Sequence, residues 1–288
     1  METAMMFSLS IIRASRLFSC VIEIDPASKA GIIGPMRILC VANQKGGVGK
    51  TTTAAALGAG LAQLGRHVLL VDVDPQSSLT QGLGIDAPGQ SLAEVIGGAT
   101  RGTLTIQQTI KPISKHLDLA PSDIALAACE LGLVSRIGRE NVIKQALANV
   151  KGYDLAILDC PPALSLLTIG ALVASGAVIV PTLPSAADLR GVRLFLQTID
   201  QAKELNPMLV LLGVVLTQFD ARTIAHGQAL EEIKAAGLQV IGIIPRSVKA
   251  QEASAAQQPI NVYDPSSRPS EAYNQVIRSV AQWLKNPA

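Results

Sequence analysis

Short apolar runs, each giving way to a small or polar stretch, recur along this chain. Residues 37–43 (RILCVAN), 67–73 (HVLLVDV) and 153–159 (YDLAILD) have the length and aliphatic character of strands buried on both faces of a parallel sheet. Residues 117–120, 177–181, 209–217 and 240–244 predict further strands. Between them, helices are expected over 51–64, 124–133, 139–150, 187–205, 224–236 and 271–284. Ser91, followed three residues later by Glu94, has the form of a helix N-cap. Over 97–115 the pattern weakens into threonines, glycines and Pro112, which predicts loop with short elements. Strand and helix alternating without a linker predict one α/β domain, a mostly parallel sheet with helices on both faces.

The turn between the first strand and the first helix reads NQKGGVGKTTT, from Asn43 to Thr53. Strand, glycine-rich turn and helix is the setting of a phosphate-binding loop. Gly46, Gly47 and Gly49 allow backbone conformations that let successive N–H groups face phosphate oxygens. Lys50 is expected to reach the β and γ phosphates and Thr51 to hold Mg²⁺, with the helix N-terminus adding partial positive charge. The usual G-x-x-x-x-G-K-[ST] pattern has glycine where this chain has Gln44, and an additional lysine, Lys45, stands beside it. The second strand brings Asp72 and Asp74, and the 153–159 strand brings Asp159, to the edge of the sheet where ligands bind.

Composition narrows the functional classes. A chain of 288 residues with a net charge of +2 does not attract nucleic acid through its overall field, so any DNA contact must come from a local patch. Aromatic residues make up 3%, too few for a single-strand stacking platform. Cys20, Cys40, Cys129 and Cys160 have no metal-ligand spacing and read as reduced cytoplasmic thiols. No apolar run reaches the roughly 18 residues needed to span a bilayer, which predicts a soluble protein. Residues 1–35 are expected to be a disordered arm, or to lie upstream of a natural start at Met36, and to be dispensable for the domain at 36–288.

KGGVGKTTT, DVDPQ (residues 72–76) and LDCPP (residues 158–162), in that order, resemble the deviant Walker A ATPases, and within them the ParA/Soj group that positions plasmids, chromosomes and other cargo. IPRSV (244–248) and NVYDPSSRPSEAY (261–273) extend the resemblance toward the C-terminus. The resemblance implies ATP and Mg²⁺ as cofactors, with nucleotide contacts from Lys45, Gly46, Gly47, Val48, Gly49, Lys50, Thr51 and Thr52. It casts Asp159 as the Walker B acid of the magnesium shell, Asp72 as tuning that shell, and Asp74 as the acid that orients or activates the attacking water. Lys45 resembles the signature lysine that reaches the partner's nucleotide across a dimer interface, much as an arginine finger acts in trans.

The same resemblance places Pro245 and Ser247 at the adenine, although Ser247 replaces a common asparagine. It implies DNA contacts from Arg222 and Lys249, widened by Arg246, Arg268 and Arg278. Lys249 stands where arginine is frequent and lacks its planar fork. The expected cycle is a homodimer closed on ATP, bound to nonspecific double-stranded DNA at the nucleoid and released when a ParB-like or other adaptor stimulates hydrolysis. The alternatives are an ATPase for non-DNA cargo, a scaffold that binds ATP without hydrolysing it, and a membrane-bound MinD-like regulator using the amphipathic 271–284 helix. Few basic residues flank that helix, so no membrane is expected. A nitrogenase-reductase-like role is disfavoured because neither Cys129 nor Cys160 has glycine-rich flanks.

Overall fold

The predicted runs pair side by side in a computed structural model that describes residues 35–97 and 104–286. The expectation for residues 1–35 falls, apart from Pro35, outside the described residues. The strands are β1 (Arg37–Val41), β2 (Val68–Asp72), β3 (Lys111–Ser114), β4 (Leu117–Ala120), β5 (Leu155–Asp159), β6 (Ala177–Thr182), β7 (Val210–Phe219) and β8 (Val240–Pro245). They form one eight-stranded sheet in the order β3-β4-β2-β5-β1-β6-β7-β8. Every pairing is parallel except β3 with β4, where Pro112, which has no ladder donor, sits on the edge strand.

The helices are α1 (Lys50–Gln63), α2 (Ser78–Gly82), α3 (Leu92–Gly97), α4 (Ile106–Thr109), α5 (Ala125–Leu133), α6 (Val142–Leu147), α7 (Leu166–Ala174), α8 (Ala186–Leu205), α9 (Ile224–Ala235), α10 (Lys249–Ala255), α11 (Ile260–Tyr263) and α12 (Arg268–Lys285). Side chains on the central strands alternate between two cores, as a period of two requires. Leu39, Val41, Leu70 and Ile157 face α1 and α12, while Cys40, Val71, Leu158 and Val178 face α3 and α5 to α8. The helices that follow β1 and β6 therefore lie on opposite faces. Their loops part at the C-terminal edge and leave a crevice beside β1, a topological switch point where α/β folds bind ligands.

Local chemistry explains the element ends. Ser91 caps α3 as predicted: its hydroxyl accepts from Ala93 N–H at 3.1 Å, and Glu94 reaches back to Ser91 N–H at 2.8 Å. The C-terminal helix starts three residues earlier than its apolar stripe suggests, because Ser267 caps it and Pro269 fits its first turn. The helix predicted over 139–150 is shorter, a 3-10 turn at Arg139–Asn141 leading into α6. α7 has no counterpart in the sequence reading. Its run LLTIGALVA is apolar on all sides, so it shows no period, and Ser165 marks its start by accepting from Thr168 N–H. α1 is likewise buried nearly all round, and at Gly60 a β-carbon would stand 2.2 Å from Ile277 Cδ1 of α12, so a larger residue there would require the Ile277 side chain to shift. Among the described residues no helix is long and apolar enough to cross a membrane, and Cys40, Cys129 and Cys160 are free thiols.

Candidate nucleotide site

The phosphate loop is held by its carbonyl oxygens. Thr217 Oγ1 donates to Val48 O at 2.9 Å, Gln218 Nε2 to Gly47 O at 3.2 Å and Lys50 Nζ to Lys45 O at 2.9 Å. Asn43 anchors the entry, donating to Pro181 O at 2.7 Å and accepting from Lys45 N–H at 3.1 Å. Gly47 and Gly49 take φ of 72° and 84°, the left-handed region expected of the loop glycines, whereas Gly46 lies outside that region. Among the described residues, the N–H groups of Gly46, Gly47, Val48 and Gly49 make no protein hydrogen bond, which leaves them for an anion.

The loop opens on a cavity of about 660 Å³, whose lining includes Gly46, Gly47, Gly49, Lys50, Thr51, Thr52 and Asp74. Pro245, Ser247, Gln251 and Tyr273 also line it, in a volume suited to a nucleotide. Lys45, Val48, Asp72 and Asp159 are not part of this lining. Asp72 and Asp159 lie fully buried at the ends of β2 and β5, adjacent in register.

The three acids differ in what already occupies them. Asp72 is saturated: one oxygen accepts from Thr80 N–H at 2.8 Å and Thr80 Oγ1 at 2.7 Å, the other from Asp74 N–H at 3.1 Å. Burial pushes its carboxyl up to about 6 despite these bonds. Asp74 has one oxygen on Gln76 N–H at 2.9 Å and faces the cavity. Neither oxygen of Asp159 has a hydrogen-bond partner. Burial, then the neighbouring Asp72, push its carboxyl well above the usual carboxylate range, against the pull of the Thr51 hydroxyl and the Lys50 ammonium.

An orphaned buried carboxylate beside a threonine hydroxyl and a phosphate cradle fits a hard divalent cation, so Thr51 and Asp159 are the residues that would hold Mg²⁺. Bound there, the ion would neutralise charge on the β and γ phosphates. Lys50 is itself buried, and burial lowers its pKa while Asp159, Cys160 and Asp74 act to raise it.

Lys45 points away from this cradle. Its Nζ stands 2.8 Å from Asp188 Oδ1 in the first turn of α8, with Lys45 44% exposed and Asp188 3%. The contact is a charge pair rather than an aligned hydrogen bond. Asp188 also accepts from Ser185 Oγ, the α8 cap.

Several residues around the cavity were assigned no role there from the sequence. Thr217 and Gln218 lie near the C-terminal end of β7, where the strand expected over 209–217 reached only Thr217. Gln218 adopts φ 52° where the β7–β8 register shifts, a bulge that accompanies the reach of its side chain to Gly47. Tyr273 belongs to the apolar stripe of α12, yet its hydroxyl meets Thr53 Oγ1 at 3.1 Å beneath the cavity, and burial pushes it up to about 12.

A second depression of about 480 Å³ gathers Arg222, Arg246 and Arg268 with Phe219, Asp220 and Pro245. Arg222 is 90% exposed and folded back on Asp220, with nitrogen to oxygen distances of 3.0 and 2.8 Å. Lys249 lies outside this lining and pairs with Glu252 at 2.8 Å.

Comparison with known proteins agrees with this geometry. The AAA domain family matches residues 36–211. The sporulation initiation inhibitor protein Soj of Bacillus subtilis is 42% identical over 250 residues, covering 85% of this chain and 98% of Soj. The chromosome partitioning protein ParA of Caulobacter vibrioides is 37% identical over 254 residues, covering 85% of this chain and 94% of ParA. Among solved structures, cobyrinic acid a,c-diamide synthase from Mycobacterium smegmatis with bound ATP analogue and magnesium superposes with a TM-score of 0.76 at 37% identity, covering 87% of this chain and 96% of that one. A phosphate loop with a second lysine, acids at the ends of β2 and β5, and this similarity along most of the chain place it in the ParA/MinD superfamily of partitioning ATPases.

Proposed function

We propose that this chain is a dimerising switch that closes on Mg-ATP, binds double-stranded DNA without sequence preference while closed, and lets go on hydrolysis. The observation that carries the reading is a shared wall. Pro245 and Arg246, where β8 runs toward α10, line both the nucleotide cavity and the arginine depression. A change at the nucleotide thus has a short path to the cations that would meet phosphates. The arginines supply the local patch that a net charge of +2 requires.

In the proposed cycle Lys50 meets the β and γ phosphates, and Asp74 uses the oxygen not taken by Gln76 to direct the attacking water at the γ phosphorus. Lys45 would leave Asp188 for the partner's nucleotide as two chains close face to face. A ParB-like or other adaptor would stimulate hydrolysis, and the nucleoid would be the site of action. The MinD-like alternative is disfavoured by α12, whose apolar residues Tyr273, Val276, Ile277, Val280 and Leu284 are buried in the core and so are already used.

Two experiments test the switch. Joint replacement of Arg222 and Lys249 by alanine should weaken binding to duplexes of any sequence and flatten the salt dependence by about one unit per cation removed. Anisotropy titrations over a range of salt, with ATP, ADP or no nucleotide, read this directly. Unchanged affinity with ATP binding intact would move the DNA surface elsewhere, and binding to liposomes in place of DNA would favour the MinD-like reading. Lys45→Ala should still bind nucleotide but remain monomeric by light scattering under saturating ATP. If it dimerises like the parent, the trans role of Lys45 is wrong.

A further inference from the structure

We infer that Thr80 is a positioning residue for ATP hydrolysis, its hydroxyl locking three separate segments together and so fixing the loop that carries Asp74. The inference rests on the reading that Asp74 directs the attacking water. Thr80 lies on α2, 1% exposed, and is absent from the nucleotide cavity lining. Its Oγ1 donates to Asp72 Oδ2 at 2.7 Å and accepts from Ser122 N–H at 3.0 Å, while its own N–H donates to the same Asp72 oxygen at 2.8 Å. The other oxygen of Asp72 holds Asp74 N–H at 3.1 Å. One buried hydroxyl therefore joins the end of β2, the helix α2 and the turn between β4 and α5.

The loop between Asp72 and Thr80 is short and pinned throughout. Val73 N–H donates to Asp159 O at 2.9 Å, Ser77 N–H to Asp74 O at 2.8 Å, and Ser77 is held at φ 50°. A non-glycine residue keeps such a conformation only where its surroundings over-determine it. Thr80 and Asp72 are those surroundings at the far end of the loop. Without the hydroxyl, Asp72 loses one donor and Ser122 N–H loses its acceptor in a site with no water-exposed substitute. The loop would then be held by fewer bonds, and the Asp74 carboxylate would be less tightly aimed. Because Thr80 touches no part of the cavity, the loss should fall on turnover rather than on binding.

The test compares Thr80→Val, which keeps the shape and the backbone N–H but removes the hydroxyl, with Thr80→Ser, which restores it. Steady-state hydrolysis and equilibrium binding of a non-hydrolysable ATP analogue with Mg²⁺ are measured on the full chain. Thr80→Val should lower kcat by at least about tenfold, because small misplacement of a water-directing group is costly. KM and analogue affinity should stay within about twofold, and Thr80→Ser should recover kcat to within about threefold. Parental kcat in Thr80→Val, or a Thr80→Ser variant as slow as Thr80→Val, overturns the proposal. If Thr80→Val does not fold, Thr80→Ala carries the test by removing the same hydroxyl with less bulk. Reduced kcat with analogue binding retained then supports the proposal, and parental kcat overturns it. Parental hydrolysis by Asp74→Ala would instead defeat the reading of Asp74 itself, an outcome read from a different variant.

Discussion

Lys50→Ala should abolish nucleotide binding at concentrations that saturate the parent, raising Kd by roughly 10²- to 10³-fold. Lys50 is 7% exposed and is the cation placed beside Asp159 and Asp74. Breaking a buried ion pair by removing one partner costs about 3–5 kcal/mol, since the remaining charge is left uncompensated. In the complex that remaining charge is the β and γ phosphates. The variant also frees Lys45 O, one of the oxygens that fix the loop, so the cradle loses shape as well as charge. Equilibrium titration with a fluorescent ATP analogue measures the effect. A Kd within tenfold of the parent would mean that the phosphates do not rest on Lys50.

Asp74→Ala should separate binding from chemistry. It should bind ATP within about threefold of the parent yet hydrolyse it about 10² to 10⁴ times more slowly, the range expected when a proton-accepting or water-directing side chain is removed. Folding should be retained, because the Asp74 contact to Asp72 is made by its backbone N–H and survives the substitution. Its removal also takes one negative charge from a crowded site, since Asp74 is among the neighbours that raise the carboxyls of Asp72 and Asp159. If the proposed switch operates, this variant stays dimeric and on DNA under ATP. Phosphate release, light scattering and DNA retention on one preparation report all three steps. A variant that stays monomeric and off DNA under saturating ATP would sink the switch.

The sheet was legible because strands buried on both faces leave unbroken apolar runs, and these end where the ligand edge begins. The phosphate loop was legible for a different reason: its glycines and lysine are demanded by local geometry and charge, so the residues that bind are contiguous. α7 and the short helices α10 and α11 escaped notice because uniform burial erases the period in the first and brevity in the others. The clamp of Thr80 on Asp72 was equally silent. It joins residues eight positions apart and, through Ser122, forty-two positions apart, and a threonine in an amphipathic stretch has many uses. The arginine depression was partly legible, since Arg222, Arg246 and Arg268 converge as a group while Lys249 stands apart.

Thr217, Gln218, Lys50 and Asn43 hold the phosphate loop in shape from within the protein. The consequence is kinetic. With the loop's carbonyls already taken, an arriving nucleotide has little backbone to order, and the entropy that flexible loops lose on binding is largely spent in folding. Entry then becomes an encounter with an open cavity, fast and governed by concentration. If the proposed switch operates, the slow interval of its cycle falls in the steps after capture.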